Sequence, residues 1–178
     1  MALIRRYESQ IYGNYKSAIL KYGLYSGIGL SFVVLFRYWI IMPLSQPVSY
    51  AENIALLVFM FASVFLYKKK LPQGKLMFKE GFVLGLGLGV VASIIYGIFL
   101  YVYSFGIDPE FQNRCFDIQR ALPNNQHLAD DAIRQMTRHS SIAFSGILLS
   151  SIMSILWAMI VSILLRNERA VVKNSKLK

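Results

Sequence analysis

The side chains in this sequence that could do chemistry are four carboxylates, Asp108, Glu110, Asp130 and Asp131, as an acid–base pair, and two histidines, His127 and His139, as metal ligands. Paired carboxylates act as general acid and base only where a pocket pushes their pKa values apart. These four sit at helix starts and on a polar face, where N-capping and solvation account for them. The histidines have no Cys or His pair to complete a ligand set, so a zinc site is not expected. Cys115 is the single cysteine and cannot close an intrachain disulfide; it reads as a small apolar residue on a helix face, an intermolecular bridge being the alternative. Gly85-Leu86-Gly87-Leu88-Gly89 begins like a dinucleotide loop, but Val90 stands where the last glycine must be, and the stretch lies inside an apolar run. No catalytic, metal-ligating or cofactor-binding residue is assigned, and no cofactor is expected.

Arg37 is the one basic residue within an apolar run. An ionisable group at membrane depth is a functional candidate by default. Tyr38 and Trp39 beside it mark an interface, so its guanidinium is expected to snorkel outward or to pair with an acid on that side. Small residues recur at every fourth position in three runs: Gly23, Gly27 and Ser31; Gly81, Gly85, Gly89, Ser93 and Gly97; Gly146, Ser150, Ser154, Ala158 and Ser162. That spacing puts each set on one helix face, where backbones can approach closely. Packing inside one bundle is the simpler expectation, and a homodimer seam the alternative.

The elements that must carry these residues are four long apolar runs, Lys21 to Met42, Glu52 to Leu66, Gly81 to Ser104 and Ser140 to Leu165. A helix needs about 20 apolar residues to cross a bilayer core; the second run is a little short. An apolar share of 56% exceeds that of a soluble domain of this size. The expected fold is all-α, a polytopic bundle of four transmembrane helices with an amphipathic helical outer loop. The net charge of +10 is unevenly placed. Arg5, Arg6, Lys16 and Lys21, then Lys68, Lys69, Lys70, Lys75 and Lys79, then Arg166, Arg169, Lys173, Lys176 and Lys178 flank one side, against Glu8, Glu80 and Glu168. Cytoplasmic loops keep Lys and Arg during insertion, so both termini are expected in the cytoplasm. The basic face then suits anionic lipid headgroups, and no nucleic-acid signature accompanies it.

Three parts are expected: a cytoplasmic N-terminal segment 1–20, the transmembrane domain 21–166 with outer loop 105–139, and a basic tail 167–178. Ile4, Tyr7, Ile11 and Tyr15 make a helical stripe suited to lying on the membrane surface; a frayed tail is the alternative. Pro43 and Pro47 punctuate a short outer loop. The tight Leu71–Gly74 turn predicts that the helices on either side are antiparallel neighbours. In the outer loop, Asp108-Pro109-Glu110 predicts a helix start, followed by the stripe Phe111, Cys115, Ile118 and Leu122. A second stripe follows, Leu128, Ala132, Ile133 and Met136. Phe111, Ile118, Ile133 and Met136 are the candidate docking residues of this outer cap, expected either to fold onto the bundle or to bury in another protein.

Tyr22-Gly23-Leu24, the Lys-rich turn, Phe78-Lys79-Glu80-Gly81, Tyr101-Val102-Tyr103 and Ile107-Asp108-Pro109-Glu110-Phe111 together resemble a family over nearly the whole chain. It is that of the small four-helix inner-membrane proteins of Bacteroidota catalogued as domain of unknown function DUF4199. The resemblance implies a bacterial inner membrane and brings no catalytic or binding residues. The functional expectation is a non-enzymatic accessory or scaffold subunit that docks a larger envelope complex, an envelope glycosyltransferase being one conceivable partner. A small transporter, channel or lipid-binding protein is the alternative. A membrane-protein partner or a homo-oligomer is expected in addition to lipid.

Overall fold

The computed structural model of the chain describes residues 2–41, 50–71 and 74–166. Six α-helices follow in order: α1 Ala2–Ile41, α2 Tyr50–Lys70, α3 Phe78–Val102, α4 Phe111–Ala121, α5 Asp130–Met136 and α6 His139–Leu165. Among the described residues there is no strand. The chain is a polytopic membrane protein: Tyr15–Arg37, Tyr50–Lys70, Phe78–Ile107 and His139–Leu165 form four helical stretches of 23, 21, 30 and 27 residues, long and apolar enough to span a bilayer. In hydrocarbon every backbone polar group must be paired internally, which is why apolar runs of this length fold as helices even with many glycines.

Two boundaries differ from the sequence reading. No break separates residues 2–20 from the first run, because α1 is one helix of 40 residues. The second run gains length at both ends, where α2 includes Tyr50 and Ala51 and ends on Lys68, Lys69 and Lys70. The side chains of Ile4, Tyr7 and Ile11, the loop with Pro43 and Pro47, residues Pro72 and Gln73, and the tail 167–178 lie outside the described residues.

α3 is the hub. It approaches α6 most closely and α1 next, while α2 leans against α1 and α6 and touches α3 more lightly across the bundle. The tight turn after α2 therefore leaves α2 and α3 in only light contact, short of the close neighbours expected from it, because small side chains, not loop length, decide the closest pairs. A Cβ on Gly85 would meet Ala158 Cβ at 3.1 Å, one on Gly81 would meet Ser162 Oγ at 3.2 Å, and one on Gly89 would meet Ser154 Cβ at 2.5 Å. As α3 ascends, its partners on α6 descend, so the two helices are antiparallel. On another face of α3, Gly23 and Gly27 of α1 lie against Val91 and Ile95, in parallel order. Ser93, Ser154 and Ser162 are fully buried, and each hydroxyl donates to the carbonyl four residues back. The small-residue faces thus bury their hydroxyls without leaving a donor unpaired.

The Lys-rich end is closed by end-capping contacts. Glu80 accepts a bond from the Met77 backbone N–H at 2.9 Å, holding the start of α3. Lys68 Nζ donates to the Leu165 carbonyl at 2.8 Å, satisfying one orphan acceptor at the end of α6. Tyr15 donates to the Glu80 carbonyl and stacks edge-on against Tyr67, with centroids 5.5 Å apart.

Candidate functional site

The polar groups that the fold draws out of solvent gather at the opposite, capped end. Arg37, near the end of α1, and Glu52, near the start of α2, are brought together because the two helices run antiparallel across a short connection. Arg37 Nη1 lies 2.9 Å from Glu52 Oε1, and the Glu52 side chain is only 3% exposed. Fully buried Tyr96 of α3 lies within electrostatic reach of both charges. The pairing expected for Arg37 is therefore found, and its acid is Glu52. The second apolar run thus opens with a buried carboxylate.

One and two turns further along, α3 changes character. Residues Tyr103–Ile107 form a π-turn, in which the Asp108 N–H donates to the Tyr103 carbonyl at 2.9 Å. The wider turn carries Asp108 inward. Its carboxylate accepts a bond from the Tyr103 hydroxyl at 3.0 Å and pairs with Arg114 of α4. This corrects the sequence reading of Asp108 as a solvated N-cap. Asp108 is buried, its side chain makes no capping bond, and α4 begins at Phe111. Apolar periodicity carries no mark of an i to i+5 hydrogen bond, so the π-turn and the role of Tyr103 were not readable from spacing.

The remaining carboxylates are not brought to Asp108. Glu110, Asp130 and Asp131 are exposed, and Asp130 pairs with Arg120 at 2.9 Å. His139 sits where α6 begins, with Nδ1 3.1 Å from Ser104 Oγ and its ring edge-on to Tyr101 and Phe105. His127 is exposed. Among the described residues no group of three or more His, Cys, Asp or Glu side chains is placed to hold a metal ion. Cys115 is on the buried face of α4; burial pushes its thiol up to about 11, with Arg114 pulling it down and Asp108 adding to the rise.

Of the candidate docking residues, Phe111 and Ile133 are fully buried, Ile118 is partly buried and Met136 is exposed. Phe111 meets Tyr103 edge-on at 5.5 Å and joins the same apolar cluster as Leu30, Val34, Tyr96 and Ile142. The cap therefore folds onto the bundle through Phe111 and Ile133, which leaves these two unavailable to a partner. The packing residues Gly23, Gly27, Gly81, Gly85, Gly89, Ser93, Gly146, Ser150, Ser154 and Ala158 are all buried within the chain. Chemically, this arrangement holds elements in place. Asp108 already accepts from two donors, and Glu52 is neutralised by Arg37.

A four-helix membrane bundle with a locked helical cap is the class these features define. The family model described as protein of unknown function (DUF4199) matches residues 21–167, and the chain belongs to that family. No curated protein and no solved structure matches it.

Proposed function

We propose that this chain is a non-enzymatic accessory or scaffold subunit of a bacterial inner membrane, with both ends in the cytoplasm, that docks a larger envelope complex. The observation that carries this reading is the locked cap. Asp108, Arg114, Phe111 and Ile133 fasten α4 and α5 to the bundle. The exposed face of α4, with Asn113, Asp117 and Ala121 at four-residue spacing, is thereby held in one position. A surface ordered in advance loses little freedom on binding. The docking residues are accordingly these three rather than Phe111 and Ile133. An envelope glycosyltransferase acting on lipid carriers is one partner of this kind, and Lys68, Lys69, Lys70, Lys75 and Lys79 suit anionic headgroups on the cytoplasmic side.

The test is isolation of the tagged chain in mild detergent with quantitative mass spectrometry. A partner at fixed stoichiometry, lost in Asp117→Arg while the variant still inserts, is the expected result. Orientation is read separately with an impermeant thiol reagent in spheroplasts, Cys115 having been replaced. A cysteine at Gln126 should label and one at Ser175 should not. The buried Arg37–Glu52 pair beside Tyr96 favours a second reading, a small transporter, channel or lipid-binding protein. Solute movement in liposomes that is lost in an Arg37 variant would favour it.

A further inference from the structure

A groove of about 780 Å³ lies between α5 and the first two turns of α6, lined by Ala132, Gln135, Met136, Ser140, Ser141, Phe144 and Ser145. The Ser141 hydroxyl donates to the Gln135 carbonyl at 2.8 Å, tying its walls together, while that of Ser145 donates within α6 to the Ser141 carbonyl at 2.8 Å. Its lining is mixed. The Gln135 amide and the Ser140 hydroxyl make no hydrogen bond among the described residues, and Phe144 is 66% and Met136 52% exposed. The spanning stretch of α6 begins at His139. At 1.5 Å per residue, Phe144 stands roughly 7–8 Å further into the membrane, at the depth where headgroups give way to acyl chains.

Positive charge outnumbers negative around the groove. From Ala132 to Leu165 the chain holds Arg134 and Arg138 and no carboxylate. On α5, Asp130 is engaged by Arg120, and Asp131 is exposed beside Ala132, one turn before Gln135. Arg138, in the chain between groove residues Met136 and Ser140, is exposed and makes no ion pair among the described residues. An unengaged guanidinium and free amide and hydroxyl groups at headgroup depth, above an exposed aromatic, form a complement to an anionic amphiphile. Guanidinium groups bind phosphate oxygens with paired charge-assisted hydrogen bonds.

We propose that this groove holds one phosphate-bearing membrane lipid, its phosphodiester at Arg138, Ser140 and Gln135 and an acyl chain along Met136 and Phe144. The inference is independent of the docking reading. The bundle could recruit a protein partner with the groove empty, or hold a lipid with no partner.

The experiment uses the purified full chain in micelles, titrated with phosphatidylglycerol and, in parallel, with diacylglycerol of the same chains, and read by native mass spectrometry. One phosphatidylglycerol should be retained per chain, and diacylglycerol should not. Ser145→Trp fills the groove from an exposed position and should abolish retention. Arg138→Gln should weaken it about tenfold, the loss expected when a charge-assisted bond is removed. Inorganic phosphate in excess should not displace the lipid. Unchanged retention in both variants, equal retention of diacylglycerol, or displacement by phosphate alone would each overturn the proposal.

Discussion

Towards the Lys-rich end, α3 and α6 meet through Gly81, Gly85 and Gly89 against Ser162, Ala158 and Ser154, and the buried hydroxyls bond within their own helices. Towards the capped end, by contrast, the helices are joined by named polar partners: Arg37 with Glu52, Tyr103 and Arg114 with Asp108, and His139 with Ser104. Both zones are tightly packed, yet they are specified differently. A small-residue face sets how near two backbones come, and it tolerates any partner of the right shape. A buried ion pair adds little net stability, because desolvation offsets attraction, but it sets which residues must be opposite each other. The capped end thus carries the positional information and the Lys-rich end the close approach. This is why the cap is the region we assign to recognition.

Substitutions at the two ends should separate these contributions. The largest loss of global stability is expected from Arg37→Leu, which leaves the nearly inaccessible Glu52 carboxylate without its counter-charge. Removing one member of a buried pair costs roughly 3–5 kcal/mol. The double variant Arg37→Leu with Glu52→Leu should recover most of that loss in a detergent melt, and a double variant no better than the single would mean that the pair itself holds the bundle together. Gly85→Leu comes next, at roughly 1–3 kcal/mol, the usual range for overpacking. It places a branched side chain where Ala158 already stands. An unchanged melting temperature would show that α3 and α6 are not in contact there.

Smaller again for the bundle, though severe for the cap, is Ile133→Asp. It buries a charge under α5 and should free the cap to limited proteolysis while the four spans melt near the parent temperature. If the spans lose stability in step with the cap, the two regions form one cooperative unit, and the contrast between them is only geometric. The gentlest probe is the Cys115 thiol. Burial raises its pKa to about 11, so the folded protein holds the proton where an unfolded chain would release it. Alkylation should be slow at pH 8 and should accelerate as pH climbs towards 11, whereas Ile133→Asp should speed it already at pH 8. The linkage has the matching sign: between the ordinary thiol range and about 11 the unfolded chain binds fewer protons, so stability falls slightly with rising pH across that window.

The four apolar runs, their Lys-rich flanks and the four-residue spacing of Gly81, Gly85, Gly89 and Gly146 through Ala158 were legible in the sequence. Length, hydropathy and helical period are local properties, and the bilayer admits few structures that satisfy them. The continuity of α1 through residue 20 was not legible, because polar residues beyond a span neither require a helix nor forbid one. In the cap, the stripes of α4 and α5 were readable, since each is set by residues three and four apart. Which of their apolar residues face the bundle was not. Phe111 and Ile133 are buried while Met136 is exposed because α5 docks at one particular angle on α6, and periodicity does not contain that angle. The same holds for the charges. Arg37 was visible as a group needing a partner, but Glu52 became that partner only through the antiparallel pairing of α1 and α2. Asp108 left solvent only because a π-turn at Tyr103 swung it inward. Spacing along the chain determined the helices and their small faces; the ion pairs, the π-turn and the seat of the cap were decided by where whole helices came to rest against each other.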